Sequence, residues 1–230
     1  MLAIVLPIKD KSDLVRHQAL ISIVSNNERL RLYVCGNTDD TKNSQLVFIP
    51  IKTTSRAVRL NLGVQKALAD KNEWIILHHP RSTLVLDQSE WDSVEKRLQG
   101  QWGAFTHKFD LAHPLLKFTS WYSNNIRGRY KQIYYLDHCF YLSSQMAKEV
   151  FPLKNVDIFE DTLLSLSLRK KSKGALIPII SLTSAIRFQQ KGVIKQLLLN
   201  IKMKLHFYLK KDLKEMNKEY EKDIELNTDL

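Results

Sequence analysis

From residue 3 to residue 77 the chain repeats one pattern: a short apolar run, a polar turn, then a stretch whose apolar residues recur at helical spacing. The runs at 3–7, 30–34, 46–51 and 74–77 read as strands. Between the first two, Leu14, Leu20, Ile21 and Val24 share a helical face that begins after an N-cap in 9–13. Between the third and fourth, Ala57, Leu60, Val64, Ala67 and Leu68 do the same. Strand and helix alternating over short connections imply a parallel sheet covered by helices on both faces. In such sheets ligands bind beyond the carboxyl ends of the strands. That rule directs attention to three loops, at 8–13, 35–41 and 78–83.

The second half is less regular. Asp87 or Ser89 caps a helix with Trp91, Val94 and Leu98 inward. A strand follows at 103–109, then an aromatic-rich helix at 115–127, a strand at 139–142, a helix at 161–173, a strand at 176–180 and one long helix from Val193. With no internal repeat or linker, the division expected is one domain at 1–210 and a charged tail at 211–230 that offers little apolar surface. At 44% hydrophobic and 26% charged the chain can bury a core. Cys35 and Cys139 have no paired spacing, which speaks against a disulfide framework or zinc knuckle and for a reducing compartment. Residues 2–8 lack the basic flank of a signal peptide, and no run of about 18 apolar residues occurs, so a cytoplasmic location is expected. The net charge of +11 favours anionic partners. A helix-turn-helix, RNP-like or zinc pattern is missing, so nucleic acid is not expected among them.

Eight segments in order carry a resemblance: IVLP from Ile4, VCGNTDDT from Val34, RAVRLNLG from Arg56, LHHPRS from Leu77, WGAF from Trp102, YLDH from Tyr135, FED from Phe159 and SAIRF from Ser184. Together the sequence resembles family-2 glycosyltransferases of the GT-A fold, and within them a small bacterial subgroup associated with radical-SAM or selenoprotein gene clusters. The resemblance spans 3–208. It implies a three-layer α/β fold with a central, mostly parallel sheet and a C-terminal amphipathic helix, and transfer of a sugar from a nucleotide-sugar donor to a glycan or lipid-linked acceptor. Such transfer needs the diphosphate leaving group neutralised and the acceptor hydroxyl deprotonated.

Relatives hold a divalent cation with an Asp-Xaa-Asp loop after the fourth strand. Here that loop is His78-His79-Pro80-Arg81-Ser82, without a carboxylate. The motif is degenerate, and the expectation is no tightly bound cofactor, with Mg or Mn arriving only weakly with the donor. Arg81 either pairs with the diphosphate directly or is a solvated loop residue. Cys35 stands where relatives tend to have a base-binding aspartate, and cysteine is a poor acceptor. Asp39 is either a donor ligand or turn chemistry; Asp40 reads as turn chemistry. Glu160 and Asp161, at the start of a helix, either supply the general base, Asp161 foremost, or cap the helix. Asp137 either positions acceptor or sugar hydroxyls or makes a structural hydrogen bond. The resemblance places Arg187 at the diphosphate and Arg56 and Arg59 near the donor loops; the alternative is an exposed surface arginine, which is the preferred reading for Arg59. Trp102 and Trp121 read as core.

Over 193–214, Ile194, Leu197, Leu198, Ile201, Leu205 and Leu209 share one face among lysines. That face either packs on the domain or makes peripheral contact with the inner face of a membrane. The rival to a transferase is a catalytically inactive GT-A-fold binding or scaffold protein.

Overall fold

In the computed structural model the described residues are 1–38, 44–53 and 55–222. They form one eight-stranded sheet ordered β3-β2-β1-β4-β7-β6-β8-β5. The strands are β1 (Leu2–Pro7), β2 (Leu30–Gly36), β3 (Leu46–Pro50), β4 (Trp74–Leu77), β5 (Ser82–Leu84), β6 (Trp102–Phe109), β7 (Phe140–Ser143) and β8 (Ala175–Thr183). The first four run parallel in register, Val5 opposite both Tyr33 and Leu77. Strand β7 is antiparallel to β4 and β6, β8 runs parallel to β6, and β5 returns antiparallel at the edge.

Every residue of β1 is buried. Ala3 and Val5 face one layer and Leu2, Ile4 and Leu6 the other, the period-2 split of a strand covered on both sides. On the first face lie α2 (Arg56–Ala69), α5 (Ser144–Val150) and α6 (Glu160–Lys171), closing over Tyr33, Cys35, Trp102 and Tyr134. On the second lie α1 (Gln18–Ser25) and α3 (Gln88–Arg97), with Leu20, Val24, Trp91 and Val94 inward. Asp87 caps α3 reciprocally with Glu90, so the first of the two candidate caps is the one used.

The aromatic-rich segment is helix α4 (Pro114–Tyr122), which continues as a wider-wound turn over Ser123–Tyr130. Helix α7 (Ile186–Lys191) packs Phe188 against Leu116 of α4. Trp102 is core, as read from the sequence, but Trp121 is half exposed and stacks on Phe118.

The expected single helix from Val193 is two helices, α8 (Val193–Tyr208) and α9 (Leu213–Glu221). Lys210 breaks them with φ of 56°, and Asp212 caps the second through the Glu215 amide. The expectation of little apolar surface after Lys210 is corrected as well. Met216 is buried in a cluster with Phe159 and Met203, and Leu213 and Tyr220 pack around it. Of the face read from the pattern of α8, Leu197 packs on the cluster of Leu116 and Phe188, but the rest is not buried. Met203 and Gln196 point inward, whereas Ile194, Leu198, Ile201, Leu205 and Leu209 are each more than half exposed.

Candidate active site

The carboxyl ends of β1, β2 and β4 deliver the three loops to one edge of the sheet. Ile8 donates its amide to the Cys35 carbonyl (3.0 Å) and His78 donates to Val5 (2.8 Å). The approach of Ile8 requires Gly36, where a Cβ would lie 2.1 Å from the Ile8 carbonyl oxygen. Asp39 and Asp40 lie outside the described residues.

Cys35 does not face this edge. Its thiol is buried under α2, where burial pushes it up to about 12, so it is a neutral packing group. Arg59, read as an exposed arginine, is buried and donates to the Ile8 carbonyl. It supports the first loop from beneath rather than meeting solvent.

In the fourth-strand loop, His78 Nδ1 meets the His79 carbonyl (3.0 Å), and His79 Nδ1 accepts from the Arg81 amide (3.1 Å). Burial, with His17 close by, pushes His78 down to about 3, and burial with Arg81 and Arg56 takes His79 well below its usual value. Both rings are neutral and committed to holding the loop. Among the described residues no group of three His, Cys, Asp or Glu could ligate a metal. The loop offers no charged oxygen, so its residues do not fit a divalent cation.

What the loop does present is Arg81. Burial and the neighbouring Arg187 and Arg56 push its guanidinium down to about 10. Three arginines from separate elements therefore converge: Arg56 at the start of α2, Arg81 after β4, and Arg187 on α7. The Asp110 carboxylate accepts from the Ala185 amide (2.8 Å) and fixes the start of α7. A buried arginine held down by two neighbouring cations marks a site for a multiply charged anion.

Glu160 and Asp161 open α6, which begins from Phe159 in the left-handed region (φ 66°) without a side-chain cap. The two carboxylates are not equivalent. Glu160 is buried and bound to Arg56 Nε. Asp161 lies 3.8 Å from Arg56 Nη2 and accepts from the Leu136 amide (3.0 Å) and from the Thr162 amide (2.6 Å). Burial and the adjacent Glu160 charge outweigh Arg56 and raise Asp161 to about 6. That is the range in which a carboxylate is both deprotonated near neutrality and basic enough to take a proton.

Asp137 stands beside them, in the turn Leu136–His138. Its carbonyl accepts from Ser181 (2.6 Å), Thr183 (3.1 Å) and Ser82 (3.3 Å), which ties the turn to β8 and to the fourth-strand loop. From Ser82 through Asp137 and Leu136 to Asp161, the putting-together of loop and base takes two hydrogen bonds. The Asp137 carboxylate has one oxygen 3.6 Å from His107 Nε2 and the other without a partner among the described residues. Burial alone would raise it, but His107, His138, Arg127 and Arg56 hold it below the usual range.

Sequence reading missed the other members of this recess. Arg127 lies 3.5 Å over the Tyr135 ring and Lys204 of α8 lies 5.8 Å from it. Burial and Arg127 push Lys204 down to about 8. His107 and His138 complete the wall, their rings 5.3 Å apart. Tyr135 lies inside a quoted motif and carried a signal; Arg127 and Lys204 sit in basic stretches that look like solvated surface.

No protein-family model and no curated protein matches the sequence. Solved structures do match in shape. TarS of S. aureus (residues 1–349) is similar with a TM-score of 0.52 at 11% identity, over 80% of this chain and 58% of that one. Mannosyltransferase PcManGT from Pyrobaculum calidifontis, in complex with GDP-Man and Mn2+, is similar at 0.52 and 11%, over 79% of this chain and 56% of that one. The chain thus spans little more than half the length of each. The shared architecture is the GT-A-like fold of nucleotide-diphospho-sugar transferases.

Proposed function

We propose that this chain is a family-2-type glycosyltransferase, of the subgroup associated with radical-SAM or selenoprotein gene clusters, that transfers a sugar from a nucleotide diphosphate to a hydroxyl of a glycan or lipid-linked acceptor. The observation that carries the reading is Asp161, poised at about 6 beside a convergence of Arg56, Arg81 and Arg187. A base and an anion site next to each other are what the reaction needs.

In this reading Asp161 accepts the acceptor's proton as its oxygen attacks the anomeric carbon. The bond from that carbon to the diphosphate oxygen breaks, and its electron pair leaves with the nucleoside diphosphate. Arg81 and Arg187 neutralise the departing charge, a role guanidinium performs by paired hydrogen bonds. Asp137, with one oxygen unpartnered among the described residues, positions a sugar or acceptor hydroxyl. Glu160 acts through Arg56, which it orients. No step is assigned to a metal, because the loop lacks the oxygen ligands. Residues 1–210 form the transferase domain in this proposal, with α9 packed on it, and α8 makes peripheral contact with a membrane on the cytoplasmic side.

The test is Asp161→Asn. The amide keeps one acceptor oxygen, for either the Leu136 or the Thr162 amide, gives up the other and takes no proton, so turnover falls by about 10²–10⁴-fold while donor binding persists. Arg81→Ala does the opposite, weakening nucleotide diphosphate binding by about 1.5–3 kcal/mol. A second reading, a silent binding protein, is favoured by one observation: Glu221 already sits on Arg187. Wild-type protein that binds nucleotide diphosphates yet turns over no donor, and is indistinguishable from Asp161→Asn, establishes it.

A further inference from the structure

We propose that helix α9 caps the diphosphate pocket, Glu221 and Tyr220 standing where the donor's phosphates bind, so that donor binding releases the helix. The inference rests on reading Arg81 and Arg187 as the diphosphate ligands. Arg187 gives two of its nitrogens and the face of its guanidinium to α9. Nη2 donates to Glu221 Oε1 (2.5 Å), Nη1 donates to the Tyr220 carbonyl (3.3 Å), and the guanidinium carbon lies 4.4 Å over the Tyr220 ring. The Glu221 charge also opposes the lowering of Arg81 by its neighbouring cations. A carboxylate bound to Arg187 and close enough to Arg81 to act on its charge does chemically what a phosphate would do there.

The helix is built to leave. Nine residues are too few to hold a helix in isolation, where about 12–15 are needed. Its ion pairs, Glu221 with Arg187 and Glu219 with Lys202, involve half-exposed carboxylates of the kind that contribute little. What anchors it is Met216 in the pocket of Phe159 and Met203, with Lys191 Nζ donating to the Lys222 carbonyl (2.6 Å). A diphosphate offers Arg81 and Arg187 more charge and more acceptors than one carboxylate, so it competes on favourable terms, and bound ligand shifts the helix to its released state. Release also uncovers Phe159, the left-handed residue from which the Glu160–Asp161 helix starts.

The experiment titrates inorganic pyrophosphate into the full chain, unmodified and as Glu221→Gln and Arg81→Ala, by calorimetry, with matched circular dichroism as the fold control. Glu221→Gln removes the competing charge and is expected to bind pyrophosphate about three- to tenfold more tightly. Amide exchange in 213–221 of the unmodified protein is expected to speed up when pyrophosphate is bound. Unchanged or weaker binding by Glu221→Gln overturns the cap, and so does slower exchange, which would make α9 a lid that closes on the donor. If Arg81→Ala weakens binding while Glu221→Gln does nothing, only the cap is lost. If neither variant alters pyrophosphate affinity, the diphosphate reading of the pocket is lost with it.

Discussion

At the scale of single residues, the pair that opens α6 divides its labour by environment. Glu160 pairs with Arg56, and Asp161, buried beside it, finds its own ionisation costly. The sign of the consequence follows. Folding raises Asp161 from 3.8 to about 6, so the native state holds this proton more tightly than the unfolded chain does. Its contribution to stability is fully present below about pH 4 and lost as pH rises through 6. Asp161→Asn gives up one accepted amide hydrogen bond at every pH, but its stability relative to the wild type should rise by about 1–3 kcal/mol between pH 4 and pH 8, as read by chemical denaturation at the two pH values. Catalysis responds the other way. With Asp161 as the base, kcat/KM should fall about tenfold per pH unit below about 6. A variant that gains stability relative to the wild type as pH rises and is nearly inactive is the signature of a residue kept for chemistry rather than for folding.

At the scale of elements, the parallel half of the sheet was legible because its helices and strands differ in hydrophobic period, and β1, β2, β4 and α2 lie close to where the pattern puts them. Helix α2 can sit on β1 because Gly63 faces the sheet: a Cβ there would lie 2.4 Å from Val5 Cγ1 and 2.7 Å from Cys35 Sγ. Gly63→Ala should then cost about 1–3 kcal/mol from overpacking, outweighing the gain in helix propensity of about 1 kcal/mol, and lower the urea midpoint without changing the slope. Strand β5 escaped notice because three residues carry no periodicity. The break between α8 and α9 had a local signal, Asp212 followed by Glu215, hidden by the lysines around it. In the site, the carboxylates at 137, 160 and 161 were legible because they lie inside segments that carry the resemblance, and two of them at a helix start. Arg59 was misread as surface because nothing local tells that the Ile8 carbonyl lies above it. Arg127, His107 and Lys204 come from three distant segments and meet only through the tertiary fold, so neither spacing nor composition could join them.

At the scale of the whole molecule, α8 is the element that joins the recess to the outside. It contributes Lys204 to the wall around Asp137, and on its outer side it leaves Ile194, Leu198, Ile201, Leu205 and Leu209 in solvent. Contiguous apolar surface of that kind on a monomer marks a binding face. No Asp or Glu occurs in α8, while Lys195 and Lys202 lie on it and Lys210 and Lys211 follow it. No helix among the described residues is long and apolar enough to cross a membrane. An apolar stripe rimmed by lysine is suited to lying in an interface of anionic head groups, and lysines facing lysines would oppose pairing with a second copy of the chain. In the proposed reading, membrane contact through α8 would set the Asp137–Asp161 recess beside the bilayer, within reach of a lipid-linked acceptor. The chain should therefore sediment with vesicles containing phosphatidylglycerol and not with phosphatidylcholine alone, the binding falling as salt rises. Leu198→Glu with Leu205→Glu replaces two side chains that pack on nothing inside, so the melting temperature should hold while vesicle binding drops at least about tenfold. Equal sedimentation with both lipids, or a double variant that binds like the wild type, would turn the stripe from a membrane face into a surface for some other partner.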